Sequence, residues 1–471
     1  MQTTDADFDI RIRDALGNER VRGNFRRAMD GLMQRRLDLF PDAEALESLR
    51  RHGMAIKASA LSRLPELLEA LEEKLTENGI RVHWAETTEE ANSIVLEIMQ
   101  SHGAKSMIKG KSMVSEEMGL NEYLIERGID VLESDLGEFI LQLAEEPPSH
   151  IVAPAIHKDR YQIAELFREK FPDIPYTEDI DELTQSARTI LRDRFEAAEV
   201  GLSGVNFAVV ETGTLCLVEN EGNGRMSTTV PPVHIAVTGI EKVVESFNQI
   251  PPLLTLLTRS ATGQPITTYF NMISSPRKPG EMDGPKEVHL VLLDNGRSRI
   301  YSDPELLATL RCIRCGACMN HCPVYTRIGG HAYGTVYPGP IGTILEPQKG
   351  GLDSYGGLTT ASSLCGACGE VCPVRIPIPK IINRLRYEAN HSDGVTTGSG
   401  SKRKKTEAMI WKAWSMLHAR PALYRFMAKT VTRLRKLAPA NAGPWTRYRT
   451  APKPAARSLH DLARAHGVDD E

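Results

Sequence analysis

No window of the chain approaches the ~18 consecutive apolar residues of a membrane span. The N-terminal stretch MQTTDADFDIRIRDALGNER mixes acids with arginines and has no apolar core, so a secretory signal is not expected and the chain reads as cytoplasmic. Basic charge is not in excess: 57 Lys and Arg stand against 61 Asp and Glu, a net charge of -4, which argues against a design for nucleic acid. No G-x-G-x-x-G signature of a bound dinucleotide occurs. With 41% hydrophobic and 25% charged residues in 471, the composition is that of an ordinary folded protein with room for two or three domains.

Cysteine is scarce and unevenly placed. Seven of the eight lie in two runs, CIRCGACMNHCP from Cys312 to Pro323 and CGACGEVCP from Cys365 to Pro373. Three thiolates spaced two residues apart wrap one face of an iron-sulfur cubane, and a fourth, three residues on, points toward a neighbouring cluster. A disulfide framework does not suit a reducing compartment, and a zinc ribbon uses isolated C-x-x-C pairs. The crossover rule assigns Cys312, Cys315, Cys318 and Cys372 to one 4Fe-4S cluster and Cys322, Cys365 and Cys368 to the other. A complete second run would place a cysteine where Ser362 stands. The fourth position of cluster two is therefore open to Ser362, to a distant side chain, or to a 3Fe-4S form. Gly316 and Gly366 allow backbone N–H groups close to the sulfurs.

Along the chain, residues 1–70 read as helical. Their Arg20, Arg22, Arg26, Arg27, Arg35 and Arg36 read as a solvated face, or else as a docking one. Residues 71–299 alternate strand and helix patterns, which implies an α/β domain with a parallel sheet. Strands are expected at IRVHWA, before Lys109, at IDVLES, at HIVAPA, at ITTYFNMI and at EVHLVLLDNG. VSEEMGLNEYLIERG reads as one helix, and Asn223-Gly224 signals a hairpin between two apolar strands. Lys109, Lys111 and Ser112 follow a strand, where such sheets bind ligands. Glu211-Thr212-Gly213-Thr214 and the turn from Glu219 to Arg225 offer N–H groups to an anion, against a plain role in chain reversal. His234 and Cys216, each inside an apolar strand, read as core residues.

Residues 300–390 form the two-cluster module. Between its cysteine runs the Gly-rich segment is expected as an ordered loop that shields the clusters and shapes a docking surface, with Tyr325, His331, Tyr333 and Tyr337 nearby. Residues 391–471 read as a flexible linker at 391–401 followed by a basic amphipathic helical tail. Eleven Lys and Arg lie between Lys402 and Lys436, beside Trp411, Trp414, Leu417, Tyr424 and Phe426. That pattern suits a helix docking on a partner or on an anionic membrane surface, broken at Pro421.

The segments KGKSMVSEEMGLNEYL, ESDLGEFILQLAEEPPSHIVAPAIHK, ETGTLCLVENEGNGR, VLLDNGRSRI and CIRCGACMNHCPVYTRIGGHAYGTVYPGPIG together resemble the bacterial lactate utilization protein B family, across nearly the whole chain. That family is the iron-sulfur member of a three-protein system for L-lactate oxidation. The resemblance implies a sheet similar to that of ribose-phosphate isomerases and CoA-transferases. It also implies an electron carrier rather than a flavin dehydrogenase, and partners among the other subunits of that system. A rival reading makes the α/β domain an enzyme or redox sensor that binds a small anion, with the clusters serving it.

Overall fold

The computed structural model describes residues 5–390, 405–441, 446, 450–451 and 453–467, as two units divided at Gly400. The expected linker at 391–401 lies outside the described residues.

Ten strands build two sheets in the first unit. They are β1 (Arg81–Ala85), β2 (Ser106–Lys109), β3 (Asp130–Glu133), β4 (Val200–Gly204), β5 (Phe207–Val209), β6 (Thr214–Glu219), β7 (Val233–Gly239), β8 (Val243–Val244), β9 (Tyr269–Ile273) and β10 (Glu287–Leu293). Six form a sheet in the order β1-β10-β7-β4-β2-β3, every pair parallel. Its central strands are buried on both faces: all seven residues of β7 are buried, as expected when helices cover both sides. The other four form a smaller sheet, β8-β5-β6-β9.

Sequence chemistry explains most of the elements. The helix Thr88–Ser101 starts where the Thr87 hydroxyl accepts from the Glu90 N–H. Asp159 and Gln162 close a capping box at the helix Arg160–Lys170. The expected single helix after Ser112 is two, Met113–Met118 and Leu120–Ile125, because Gly119 takes a left-handed conformation between them.

Two strand expectations fail. Asn223-Gly224 does not turn a hairpin: it opens the helix Asn223–Thr229, and the flanking strands β6 and β7 belong to different sheets. The Glu219 carboxylate accepts from the N–H groups of Gly224 and Arg225 at 2.6 and 2.7 Å, so a capped helix start outcompetes the turn. The antiparallel hairpin is one turn earlier, between β5 and β6 at Glu211–Gly213. HIVAPA forms no strand either. There the His150 Nδ1 accepts from the N–H groups of Val152 and Ala153, a local bond that folds the chain into a tight loop.

The Gly-rich segment between the cysteine runs holds a twelve-residue helix, Gly339–Gly350, buried along most of its length. Propensity argues against a helix there, but close packing needs the glycines: a side-chain carbon at Gly342 would stand 1.5 Å from the Tyr337 carbonyl oxygen. One hydrophobic core runs from Phe8 through the N-terminal helices and the small sheet to Ala389. Arg36 is part of this packing, 6% exposed, and so is not on a solvated face. Arg20, Arg26, Arg27 and Arg35 are exposed and Arg22 is half-buried.

A buried ion network joins the large sheet to the cysteine module. Arg297, fully buried after β10, is bidentate to Glu117 at 2.9 Å and donates to Glu241 at 2.7 Å. Lys349 of the Gly339–Gly350 helix reaches Glu117 at 3.0 Å, and Tyr337 donates to it at 2.9 Å. Burial opposes ionisation of Glu241, but Arg297 outweighs it, with Lys242 and Arg314, and holds its pKa at about 2.

The second unit carries the helices Lys405–His418 and Pro421–Arg433, interrupted ahead of Pro421 as expected. Trp411, Trp414 and Phe426 are more than half exposed. Trp414 stacks on His418 at 4.1 Å, and His418 meets Tyr424 at 5.2 Å. No helix among the described residues is long and apolar enough to cross a membrane.

Replacing Arg297 by Met takes from two buried carboxylates their closest shared counter-charge. Urea denaturation should show a loss of about 3–5 kcal/mol. Unchanged stability would mean that Lys349 and Arg314 alone hold the joint.

Candidate functional site

The first cysteine loop turns tightly because Arg314 takes a left-handed conformation, φ 59°, that costs a non-glycine residue energy. That turn aims backbone donors at sulfur: the Arg314 N–H donates to Cys312 Sγ at 3.4 Å. Cys322 caps the helix Pro323–Ile328, its sulfur accepting from the Tyr325 N–H at 3.4 Å. In the second loop Leu364 and Arg375 are left-handed as well, and the Ile376 N–H donates to Cys372 Sγ at 3.3 Å. Such bonds stabilise a sulfur that carries negative charge.

The seven sulfurs fall into two neighbourhoods. Burial raises the thiol of Cys315, and the charges of Cys372 and Cys312 add to this. Cys318 is raised by burial, then by Cys315, Cys312 and Cys372, and last by Cys368 of the other group, so the two groups adjoin there. Cys312, Cys315, Cys318 and Cys372 line one pocket of about 330 Å³, mouth included, walled by Ile151, Ile341 and other aliphatic side chains. Cys368 is raised by burial to about 12, with the charges of Cys322 and Cys365 adding to this. Four soft sulfurs around a small apolar space, with backbone donors beside them, fit a 4Fe-4S cluster. At the second group Cys365 is exposed. There the half-buried Ser362 accepts from the Leu364 N–H through its hydroxyl at 3.1 Å.

Cations that the sequence did not connect with the cysteines surround the first group. Arg50, from the helix Ala43–Ser62, donates to the carbonyls of Cys372 at 3.0 Å and Gly369 at 3.2 Å. The Lys242 ammonium lies 3.5 Å from the Cys312 carbonyl. Burial lowers the Lys242 pKa to about 8, with Arg314 adding to the effect. Arg36 also lies within electrostatic reach of Cys315 and Cys372. These cations suit a centre whose four thiolates leave it negative; only their arrangement in space reveals them.

The aromatic residues expected at a docking surface are mostly core. Tyr325, Tyr333 and Tyr337 are fully buried, so they shape the module from within. Tyr325 donates to the Ser149 carbonyl at 2.5 Å, and its ring meets Phe25 edge-on. The Tyr333 hydroxyl lacks a partner among the described residues, and Cys322, Cys318 and Cys368 lie within its electrostatic reach. His331 lies 2.8 Å from the Pro147 carbonyl, on the side of the sheet domain.

A larger cavity, of about 1350 Å³ with its mouth, lies where β2, β4 and β7 end. Lys111 and Ser112 line it, as their position after a strand suggests. Lys109 does not: fully buried, it pairs with Glu116 and Glu133 and is a structural cation. Neither Gly-rich turn is free to hold an anion. At the β5–β6 hairpin the Glu211 N–H donates to the Glu245 carbonyl at 3.0 Å and the Gly213 N–H to the Val210 carbonyl at 3.3 Å, while Glu219 occupies the N–H groups of its own turn. His234 is a core residue paired with Ser203 at 2.8 Å. Cys216, fully buried in β6, is held protonated by burial, its pKa pushed up to about 12.

Three family models match: the LUD domain over residues 68–293, the 4Fe-4S dicluster domain over 308–376, and the C-terminal region of lactate utilisation protein B over 384–468. The chain is 41% identical to lactate utilization protein B of Bacillus velezensis, covering 98% of this chain and 97% of that one. It belongs to the lactate utilization protein B family. Another member, from Bacillus subtilis, is 41% identical over 97% of this chain and 96% of its own. An uncharacterized electron transport protein of Escherichia coli is 42% identical over 90% of this chain and 87% of its own. Among solved structures, a DUF162 family protein from Deinococcus radiodurans aligns with 49% of this chain and 98% of its own, at 14% identity and a TM-score of 0.28. As a member of the lactate utilization protein B family with a dicluster domain, the chain is an iron-sulfur protein of electron transport.

If two clusters cross between the runs, Cys312→Ser and Cys372→Ser should remove the same paramagnetic signal although sixty residues separate them. Electron paramagnetic resonance of the reduced variants checks this, and loss of different signals would refute the crossover. The parent purified anaerobically should hold about eight irons, or about seven if the Ser362 side stays open.

Proposed function

We propose that the chain is the electron-transfer component of L-lactate oxidation to pyruvate, with Cys312, Cys315, Cys318 and Cys372 holding one 4Fe-4S cluster and Cys322, Cys365 and Cys368 a second. What supports this reading is the gathering of the seven sulfurs into two adjoining groups, each drawn from both runs. Such clusters take up one electron each, so an adjacent pair accepts the two electrons released per lactate. The residues around them do the rest. Backbone N–H groups at Cys312, Cys322 and Cys372 favour charged sulfur, Arg36, Arg50 and Lys242 offset added negative charge, and aliphatic walls exclude water. The exposed side at Leu364 and Cys365 is where an electron partner would approach.

Partners are the other subunits of the lactate-utilization system. The tail supports docking on them: Trp411, Trp414 and Phe426 are exposed on a segment rich in basic residues, a pattern suited to a partner surface. The rival reading, a small anion bound by the α/β domain, draws on the cavity at the sheet edge.

A strain lacking this chain should fail to grow on L-lactate as sole carbon source and grow normally on pyruvate. Normal growth on lactate would reject the assignment. Truncation after Asn390 should leave iron content unchanged and slow electron delivery in a reconstituted system. Full activity together with copurification of the partners would reject a docking tail.

A further inference from the structure

The first residues of β10 lie at the end of the large sheet opposite the cavity. Alternation along the strand puts Glu287 and His289 on one face, and the pairing of Arg81 with His289 brings the start of β1 beside them. The helix Thr88–Ser101 packs on these two strands, and His102 is its C-cap. That capping position carries the His102 ring to the strand: its Nε2 stands 3.6 Å from the Glu287 Oε2. The His289 Nε2 stands 3.6 Å from the same oxygen. Two imidazole nitrogens and a carboxylate oxygen therefore converge, all within 4.8 Å of one another.

At 3.6 Å neither contact is a hydrogen bond. The His289 side chain is 4% exposed, and among the described residues neither its Nε2 nor the Glu287 Oε2 has a hydrogen-bond partner. The other His289 nitrogen, Nδ1, lies 3.0 Å from the His83 Nε2, with the two rings stacked at 5.3 Å. Burial keeps the His289 ring neutral. A neutral ring that commits its one proton to the bond with His83 leaves a bare lone pair at Nε2, facing a carboxylate oxygen. Buried acceptors so placed cost free energy unless something positive completes them. Arg81 does not complete them. Its Nη1 comes to 2.6 Å from the Glu287 Oε2 without making a hydrogen bond, its side chain is 62% exposed, and it gives no hydrogen bond to the His289 Nε2.

We propose that His102, Glu287 and His289 bind a divalent transition-metal ion such as zinc, with His83 as a positioning residue behind His289 and a fourth coordination position open to water. Two imidazoles and a carboxylate are a donor set that zinc takes when one position stays open. Ligands about 2.0–2.1 Å from zinc at roughly tetrahedral angles stand about as far apart as these atoms do. His83 supplies the outer hydrogen bond that fixes the tautomer and orientation of a metal-binding imidazole. The site also lies at the C-terminal end of a fourteen-residue helix, where the carbonyl dipoles favour positive charge. Magnesium and calcium prefer shells of oxygen and are disfavoured. The largely exposed Arg81 side chain gives way to the ion. This inference stands whether or not the chain carries electrons from lactate.

The test uses the full-length, anaerobically purified protein with its iron-sulfur clusters, freed of loosely held metal with a chelator and dialysed against zinc chloride. Elemental analysis should find one zinc per chain with iron content unchanged, and no retention of magnesium offered instead. X-ray absorption at the zinc edge, to which iron does not contribute, should show nitrogen and oxygen neighbours at about 2.0–2.1 Å and no sulfur at about 2.3 Å. No uptake, or a shell of sulfur that places the zinc at the cysteines, overturns the proposal. His102→Ala changes a helix end rather than the core and should weaken zinc binding by about tenfold or more, at least what the loss of an outer partner costs. Parent affinity in His102→Ala overturns the site. Arg81→Gln removes the competing cation and should bind zinc no more weakly than the parent; weaker binding there overturns Glu287 as a ligand. His83→Phe should weaken binding by about tenfold, whereas His83→Gln, which keeps an acceptor for the Nδ1 proton, should restore it. Equal loss in both overturns the positioning role of His83.

Discussion

The buried guanidinium of Arg297 is the joint between the large sheet and the cysteine module. It follows the last strand, grips Glu117 from the helix after β2 and Glu241 from the end of β7, and Glu241 in turn holds Arg314 inside the first cysteine loop. Lys349 of the module's own helix and Tyr337 just ahead of that helix reach the same Glu117 carboxylate. Charges this deep are tolerable only when each is met by another, so the network fixes the elements that carry it relative to one another. The cysteine loop, the cavity floor and the sheet edge form one construction around it.

That construction explains why a helical N-terminus belongs to an iron-sulfur protein. A cluster module of short turns has little apolar surface of its own, and here its core is continuous with the N-terminal helices and the small sheet. Arg36 and Arg50 come from those helices to the side of the first cysteine group. Positive charge near an iron-sulfur centre favours its reduced form, so the helices influence electron transfer as well as stability.

Reading function from sequence worked best where chemistry is local. C-x-x-C-x-x-C spacing is a statement about neighbouring residues, and the alternating β and α patterns of residues 71–299 report burial on a strand or one helix face. Those signals placed the parallel sheet, most of its helices and the seven thiols. They failed where two solutions compete within a few residues. Asn223-Gly224 suits a type I′ hairpin, but the Glu219 carboxylate caps a helix there instead. GPIGTILEPQKG is a poor helix by propensity, and burial against its neighbours made it one.

By itself the sequence determined the metal chemistry, the family and the sheet class, because cysteine spacing and hydrophobic period are set by backbone geometry over short spans. Tertiary structure decided which sulfurs are neighbours in space and which charges surround them. Lys109 and Lys111 stand two residues apart after one strand, yet one is locked between Glu116 and Glu133 while the other lines the cavity. Arg36 and Arg50, more than two hundred residues from the cysteines, became neighbours of the first group. The physical reason is the range of the forces. Caps, turns and ligand spacing act within a turn or two of chain, whereas burial and Coulomb interaction depend on distance in space, which only the folded chain sets.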